Sequence, residues 1–425
     1  MLGDVLLKKQ SFELLAETKN PRELHFFSCK NHCSVLYYKK RCRNIKTAVP
    51  LGERSEKKIQ MFKKLDDLLD EMLTHPLPGN DCIVCRKGEV IYRRFSGFAD
   101  KEKTRPLTGN ERYQIFSCSK LITCCAALQL WEKGAFQLDD PLCLYLPEYA
   151  DMKVKTADGI VDARNKITIR HLFTMTAGLN YNLGAKSILQ VHDATEGRCP
   201  TREVIRALAQ EPLDFEPGTA WQYSLCHDVL AALVEVLAKQ PFNDYVTEHI
   251  LAPLGMSSVT FLLPASQFDT LVPLYKEVPV EDPLCQLSGM GSHGTGPYRL
   301  GPCYASGGAG AVSTVEDYNK LLQSLCYDEK VLKRSTIEMM AVDQLTDAMY
   351  EQSWGGEYYG YGLGVRCPKR GCDVRSDFGW GGAAGAYFAI DPARELTVLY
   401  VQHVVTSSAR DLRPRILEIL HEILD

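Results

Sequence analysis

Ser117-Cys118-Ser119-Lys120 places a hydroxyl and an amine three positions apart, which is the spacing of most chemical interest in the chain. Residues three apart share one face of a helix. If Ser117 opens a helix, its hydroxyl lies beside unpaired N–H groups that favour a developing negative charge, and Lys120 can take the hydroxyl proton. The spacing therefore indicates a serine nucleophile for acyl transfer. An ordinary capping serine is the alternative.

The surroundings of Ser117 distinguish it from a second Ser-x-x-Lys match, Ser55 to Lys58, which lies in a charged run and indicates the solvated start of a helix. Ile115 and Phe116 lead into Ser117, and apolar residues then recur at helical spacing, namely Leu121, Cys124, Cys125, Leu128 and Trp131. This pattern predicts a buried helix that presents Ser117 at its exposed end.

Tyr223 is a candidate proton relay. It follows the turn Glu216-Pro217-Gly218 and precedes a helix whose apolar residues are Val229, Leu230, Leu233 and Leu237. A phenol can relay protons when a nearby cation stabilises its phenolate form, and Lys120 would be that cation. The alternative interpretation is a packed aromatic side chain.

A glycine-rich stretch, Trp380-Gly381-Gly382-Ala383, precedes a strand-like run. Glycines in an edge strand allow another backbone or a ligand to approach closely. Such a strand edge could offer a backbone N–H group to a tetrahedral oxyanion. The alternative is a glycine-rich turn with a buried Trp380.

The elements that must position these residues follow from hydrophobic periodicity. We expect a helix at residues 59–73, a two-stranded hairpin at 81–95 that turns at Lys87-Gly88, and a long run of helices at 117–261. Two later strands should follow at 387–402, and a closing helix at 412–424. This order predicts an α+β fold, in which helices flank an antiparallel sheet. The sheet lobe would comprise residues 56–112 and 295–425, and the inserted, mostly helical lobe would comprise residues 113–294. The site would lie at the junction of the two lobes.

Composition is ordinary for a soluble globular protein: of 425 residues, 45% are apolar and 24% charged. No apolar run reaches the ~20 residues of a membrane helix. The N-terminus lacks the layout of a secretory signal, so we expect a cytoplasmic protein with free thiols among its sixteen cysteines. Cys82 and Cys85 would point to opposite faces of a strand, so no redox or metal role is predicted for them.

Residues 1–64 carry fifteen Lys and Arg against six acidic residues, although the whole chain has a net charge of −4. No nucleic-acid-binding motif accompanies this basic segment, so no nucleic acid partner is predicted. We expect residues 1–55 to form a flexible extension that is dispensable for the chemistry, and residues 56–425 to form the functional domain.

Taken in order, these motifs resemble the serine β-lactamase-like family, and specifically the family VIII carboxylesterases related to class C β-lactamases. The resemblance runs from about residue 60 to the C-terminus. Further blocks that resemble the family lie at residues 138–141, 169–179, 253–256 and 306–318.

The resemblance implies that Ser117 is the nucleophile, Lys120 its partner and Tyr223 the tyrosine of the second motif. The third motif falls at Trp380, Gly381 and Gly382, and the N–H groups of Ala383 and Ser117 would form an oxyanion hole.

Two departures from the β-lactamase pattern make the predicted cleft less polar. Leu225 stands where lactamases carry the Asn of Tyr-x-Asn, and Trp380-Gly381-Gly382 replaces Lys-Thr-Gly. The second change removes a cation suited to a substrate carboxylate. Both changes are typical of the esterase branch.

The expected function is therefore hydrolysis of small carboxylic esters through an acyl-enzyme, without a metal or organic cofactor. Three alternatives stay open: an acyltransferase, a β-lactamase or D-amino-peptidase, and an inactive scaffold that binds a ligand. The sequence does not indicate an oligomeric state.

Overall fold

The computed structural model describes residues 61–287 and 300–424, and the backbone of two strands at 25–29 and 33–37. The second Ser-x-x-Lys match at residues 55–58 lies outside the described residues. The strands are β1 His25–Cys29, β2 Cys33–Tyr37, β3 Gly79–Arg86, β4 Glu89–Gly97, β5 Tyr113–Gln114, β6 Lys153–Thr156, β7 Gly159–Asp162, β8 Leu274–Glu277, β9 Leu284–Leu287, β10 Val312–Ser313, β11 Tyr359–Tyr361, β12 Arg366–Pro368, β13 Phe378–Gly381, β14 Tyr387–Asp391, β15 Leu396–Val401 and β16 Val404–Val405.

The main sheet has nine antiparallel strands in the order β1-β2-β4-β3-β15-β14-β13-β12-β11. Its centre joins the predicted early hairpin to the predicted late strands, because β3 pairs with β15 from Arg86↔Leu396 to Asp81↔Val401. The two-residue turn at Lys87-Gly88 closes the hairpin as predicted, with Arg86 opposite Glu89. The antiparallel sheet of the predicted α+β fold is therefore confirmed.

The helices are α1 Lys63–Met72, α2 Ser119–Glu132, α3 Ile169–Phe173, α4 Lys186–Ala194, α5 Thr201–Leu208, α6 Cys226–Ala238, α7 Phe242–Val246, α8 Ala252–Leu254, α9 Val315–Tyr327, α10 Arg334–Met340, α11 Asp347–Tyr350 and α12 Pro414–Leu424. Helices α1 and α12 pack against each other, and α9 packs on β15. Within the described residues, no helix has the length and apolar character needed to cross a membrane.

The sheet separates two apolar cores. Cys82 belongs to the core that contains the apolar residues of α1 and α12, whereas Cys85 belongs to the larger core around α2 and α6. The two thiols therefore point to opposite faces of β3, as the alternation of a strand requires.

Helices α2 to α8 form the region between β5 and β10, and α2 packs directly on α6. Two departures from an all-helical run occur there. Residues 153–162 form a hairpin, because Gly159 adopts a φ of 124° that favours glycine at the turn. Strands β8 and β9 pair with each other, and β8 also pairs in parallel with β16.

Part of the basic N-terminal segment extends the sheet. Strand β2 pairs with β4 through Cys33↔Ser96, Ser34↔Phe95 and Val35↔Arg94. The domain limits at residues 55, 113 and 294 stay predictions.

Candidate active site

Ser117 lies at a tight entry into α2. Residues Phe116–Cys118 form a 3-10 turn, and the α-helix begins at Ser119. Phe116 has a φ of 46°, a conformation that costs energy in a bulky residue and is retained only where packing enforces it. Its side chain is buried in a small cluster with Leu274 and Ala384, which supplies that packing. The predicted helix with Ser117 at its partly exposed start is therefore present.

Lys120 is fully buried in the first turn of α2. Its Nζ donates a hydrogen bond to the Gly308 carbonyl at 2.7 Å and approaches Ser117 Oγ at 3.5 Å. A second side chain of the helix, Thr123, donates to the Gly307 carbonyl at 2.7 Å. Residues 307 and 308 thus fix the start of α2 and orient the Lys120 amine towards Ser117 Oγ.

Tyr223 completes the group that the sequence predicted. Its hydroxyl donates a hydrogen bond to Ser117 Oγ, and the Lys120 Nζ lies 4.5 Å from the centroid of its ring. The loop before α6 holds Tyr223 in place, because Gln222 N–H donates to the Met175 carbonyl at 3.0 Å. The structure therefore brings Ser117, Lys120 and Tyr223 together from two elements that are distant in sequence.

The Trp380–Ala383 stretch also reaches the chain segment just before Ser117. Strand β12 pairs with β13 only at Gly379, so the end of β13 is free of that neighbour. A Cβ on Gly382 would lie 2.5 Å from the Ile115 carbonyl oxygen, which requires glycine for this close approach. Ala383 packs against the cluster that contains Phe116. The predicted oxyanion donors are thus carried by two backbone segments in contact.

Leu225 is buried, with 1% of its surface exposed, and belongs to the larger core. Its backbone N–H donates to the Asn180 carbonyl at 3.1 Å. A role for Leu225 in lining the substrate cleft stays a prediction.

Asp228 was missed by the sequence analysis and lies fully buried behind Lys120. Its Oδ1 accepts hydrogen bonds from the Ser306 hydroxyl at 2.6 Å and the Tyr304 hydroxyl at 2.9 Å. A Cβ on Gly308 would lie 2.5 Å from Asp228 Oδ2 and 3.3 Å from Lys120 Nζ, so both charged groups meet at this glycine. Burial raises the pKa of Asp228, while the Ser306 hydrogen bond and the charge of Lys120 act in the opposite direction.

Three aromatic rings lie around Tyr223: Trp380, which the sequence analysis placed in the third motif, and Tyr181 and Trp354, which it missed. Tyr181, Trp354 and Trp380, together called the aromatic wall, have ring centroids 5.5, 4.5 and 5.9 Å from that of Tyr223. Trp380 was considered as a buried residue, but it is partly exposed in this wall. The sequence offered no signal for Trp354, because it stands in a short loop without periodicity.

A family model described as "Beta-lactamase" matches residues 65–421 of the chain. Among curated proteins, the chain is 32% identical over 363 residues to Esterase EstB of Burkholderia gladioli, a match that covers 79% of this chain and 88% of the esterase.

Solved structures share the fold. EstCE1, described as a hydrolase with promiscuous acyltransferase activity, has a TM-score of 0.70 and 25% identity, with 86% of this chain and 99% of EstCE1 covered. Unliganded simvastatin synthase from Aspergillus terreus has a TM-score of 0.68 and 23% identity, with 84% and 97% covered.

Proposed function

Because the chain belongs to the beta-lactamase family, we propose that Ser117, Lys120 and Tyr223 are its catalytic residues and that it hydrolyses small carboxylic esters through an acyl-enzyme. The observation that carries this proposal is the contact of the Ser117 hydroxyl with both the Tyr223 hydroxyl and the Lys120 amine. The similarity to Esterase EstB over most of both chains supports an ester as the substrate.

In the proposed first half-reaction Tyr223 reacts as its phenolate: Ser117 Oγ attacks the ester carbonyl carbon while its proton passes to the phenolate oxygen of Tyr223. A hydroxyl can donate or accept a hydrogen bond, so the Ser117–Tyr223 contact can carry this proton. The buried Lys120 amine favours negative charge on the phenol oxygen. The carbon–oxygen bond to the alcohol then breaks, and the leaving oxygen takes the proton from Tyr223.

In the second half-reaction, water attacks the acyl carbon and gives its proton to Tyr223. The bond to Ser117 Oγ breaks, and the proton returns to the serine as the acid leaves. In both steps the carbonyl oxygen becomes an oxyanion, which the N–H groups of Ser117 and Ala383 would stabilise. One such donor typically contributes about 3 kcal/mol to transition-state stabilisation.

The test is hydrolysis of p-nitrophenyl acetate and butyrate by the wild type and Ser117→Ala, with circular dichroism to confirm folding. We expect activity in the wild type and none above background in the variant. A fluorophosphonate should label the wild type only. A folded wild type that neither hydrolyses these esters nor accepts the label would contradict the proposal and favour the inactive scaffold.

Acyl transfer to an alcohol is a second candidate, supported by the description of EstCE1, whose identity to this chain is 25%. The same acyl-enzyme would serve, with the alcohol in place of water. Addition of methanol to the p-nitrophenyl butyrate assay distinguishes the two, because a transferase forms methyl butyrate in preference to butyrate.

A cytoplasmic location is part of the proposal. The thirteen cysteines within the described residues are free thiols, which a reducing compartment maintains. Fractionation of cells that express the full chain tests this.

A further inference from the structure

Trp354 exposes 66% of its surface although it lies beside the reacting hydroxyl groups. An indole ring carries a large apolar area whose exposure to water is unfavourable. Its ring centroid is 4.5 Å from that of Tyr223, whose hydroxyl bonds to Ser117 Oγ. A molecule bound at Ser117 would therefore meet the free surface of Trp354.

The loop that carries Trp354 is held in place by its own contacts. Gln352 Oε1 accepts a hydrogen bond from the Trp221 backbone N–H at 3.0 Å. The Tyr359 N–H donates to the Gly355 carbonyl at 3.1 Å, and a Cβ on Gly355 would clash with the Tyr359 carbonyl oxygen. The edge of the Trp221 ring also packs against Trp354, with centroids 5.5 Å apart. The exposed indole is therefore positioned before any ligand arrives, which lowers the entropy cost of binding.

The geometry of the aromatic wall favours a flat apolar group. The rings of Trp354 and Trp380 are nearly parallel, with an angle of 14° and a centroid separation of 6.1 Å. A third ring between them would need a gap of about 7 Å, because each pair of stacked rings lies about 3.5 Å apart. The separation is therefore too small for a ring to enter. The ligand group must instead lie on the outer surface of the wall, where an aromatic ring gains stacking contacts that an alkyl chain does not.

The chemistry proposed above determines which half of an ester would reach the wall. Tyr223 returns its proton to the oxygen of the leaving alcohol, so that oxygen must come within hydrogen-bond distance of the Tyr223 oxygen. A ring attached one or two bonds beyond it then lies beside the rings that pack on Tyr223. Resting on the proposed ester hydrolysis, we propose that Trp354 determines specificity for esters of aryl-bearing alcohols.

The test compares kcat/KM for benzyl acetate and ethyl acetate in the wild type, Trp354→Ala, Trp354→Phe and Leu144→Ala. Both substrates share one acyl group and release an alkyl alcohol, so they differ mainly in the ring. We expect the benzyl to ethyl ratio to fall about tenfold in Trp354→Ala, chiefly through KM, as the loss of one aromatic contact implies. Trp354→Phe should restore most of the ratio.

Leu144→Ala is the matched control, because Leu144 is also 66% exposed and lies outside the aromatic wall. Its ratio should equal that of the wild type. An unchanged ratio in folded Trp354→Ala would overturn the specificity proposal while leaving ester hydrolysis intact.

Binding of benzyl alcohol by folded Ser117→Ala, measured by calorimetry with and without Trp354→Ala, separates the two proposals. Weaker binding on loss of Trp354 would support the aromatic wall even if no ester were turned over. Equal binding by both proteins would count against it.

Discussion

At the scale of single residues, the position of Lys120 explains how one amine can act on two hydroxyl groups. The amine is buried, its Nζ is directed by the Gly308 carbonyl, and it lies over the ring of Tyr223 while approaching Ser117. A buried cation needs compensating negative charge or hydrogen bonds. Asp228 supplies that charge, since its Oδ2 and Lys120 Nζ both lie near Gly308 and the two groups interact electrostatically. The carboxylate therefore positions the amine without touching the reacting atoms.

Replacement of Asp228 by Asn tests this positioning role. The amide has nearly the same shape, but it removes the negative charge and brings an NH2 group towards the hydroxyl donors Tyr304 and Ser306. We expect kcat for p-nitrophenyl butyrate to fall about 10- to 100-fold with little change in KM, because the loss affects proton transfer rather than substrate binding. Steady-state kinetics on protein of confirmed fold measure both constants.

Asp317→Asn is the control for the loss of a buried acid. Asp317 is 7% exposed and accepts hydrogen bonds from Ser258 and Lys320, with no contact to Ser117, Lys120 or Tyr223. The Asp317→Asn variant should unfold at a lower denaturation midpoint than the wild type, without a comparable fall in kcat. Equal kcat losses in the two variants would mean that Asp228 acts only through stability.

The sequence could predict Ser117 and Lys120 because both lie within one helical turn, where spacing alone fixes their relation. The residues alone left Tyr223 as either a proton relay or a packed aromatic side chain, and the family resemblance favoured the relay, since only tertiary packing brings Tyr223 to the helix. Asp228 could not be recognised: an acidic residue in the first turn of a helix is an ordinary feature, and its burial depends on Tyr304 and Ser306 from a distant segment.

At the scale of elements, the turn after β13 and the entry to α2 act as one unit. The Gly382 N–H donates to the Ala386 carbonyl at 2.7 Å, which closes the turn. The Arg413 guanidinium donates to the same carbonyl at 3.1 Å. Because Gly382 lies directly on Ile115, the turn and the nucleophile are held at a fixed separation.

Gly382→Ala should disturb that separation. The new methyl group would meet the backbone of Ile115, and backbone cannot yield as a flexible side chain can. We expect a fall of about 100-fold in kcat, comparable to the loss of one oxyanion donor. Gly184→Ala serves as the control, since its Cβ would have only the Asn182 side chain at 3.5 Å as a neighbour. Full activity in folded Gly382→Ala would show that the turn does not contribute an oxyanion donor.

The link between β15 and β8 should make stability depend on pH. His403 is buried, its Nδ1 lies 3.0 Å from the Pro273 carbonyl oxygen, and burial lowers the pKa of His403 to about 4. An unfolded histidine takes up its proton near pH 6.5, so the unfolded state binds more protons between pH 6.5 and 4. The contribution of His403 to stability is therefore present above pH 6.5 and is lost as the pH falls towards 4.

Urea unfolding at pH 7 and pH 5 measures this effect. The loss attributable to His403 should be about 2 kcal/mol by pH 5. In His403→Gln the difference between the two pH values should shrink by that amount. An unchanged difference in the variant would show that other groups cause the pH dependence.

At the scale of the whole molecule, Ser117, Lys120 and Tyr223 lie where the helical region meets the sheet, the junction at which the sequence analysis expected a site. The order of elements was sufficient for that expectation, because the first and last segments had strand character and the middle had helical periodicity. The hairpin of residues 153–162 was not predicted, since Val154 is its one buried strand residue and the other strand is exposed throughout, with Ile160 at 59% exposure, so the sequence shows no clear alternation.

Deletion of residues 1–55 tests how independent the site is from the edge of the sheet. Strand β2 covers the edge of β4, and four steps in the sheet order separate β4 from β13 beside the site. At about 4.8 Å per step, this places β4 roughly 19 Å from β13. We expect the turnover rate to be unchanged when it is divided by the number of active sites, counted by fluorophosphonate labelling. The uncovered N–H and C=O groups of β4 should, however, increase self-association and lower the unfolding temperature by a few degrees.

Deletion of residues 1–24 is the matched control, because it retains β1 and β2 and should leave β4 covered. Light scattering and thermal unfolding then separate the two truncations, since only the longer one removes the strands. Loss of turnover in a folded, monomeric 56–425 protein would mean that the basic segment contributes to the site itself. Equal association of both truncated proteins would mean that β2 does not protect the edge in solution.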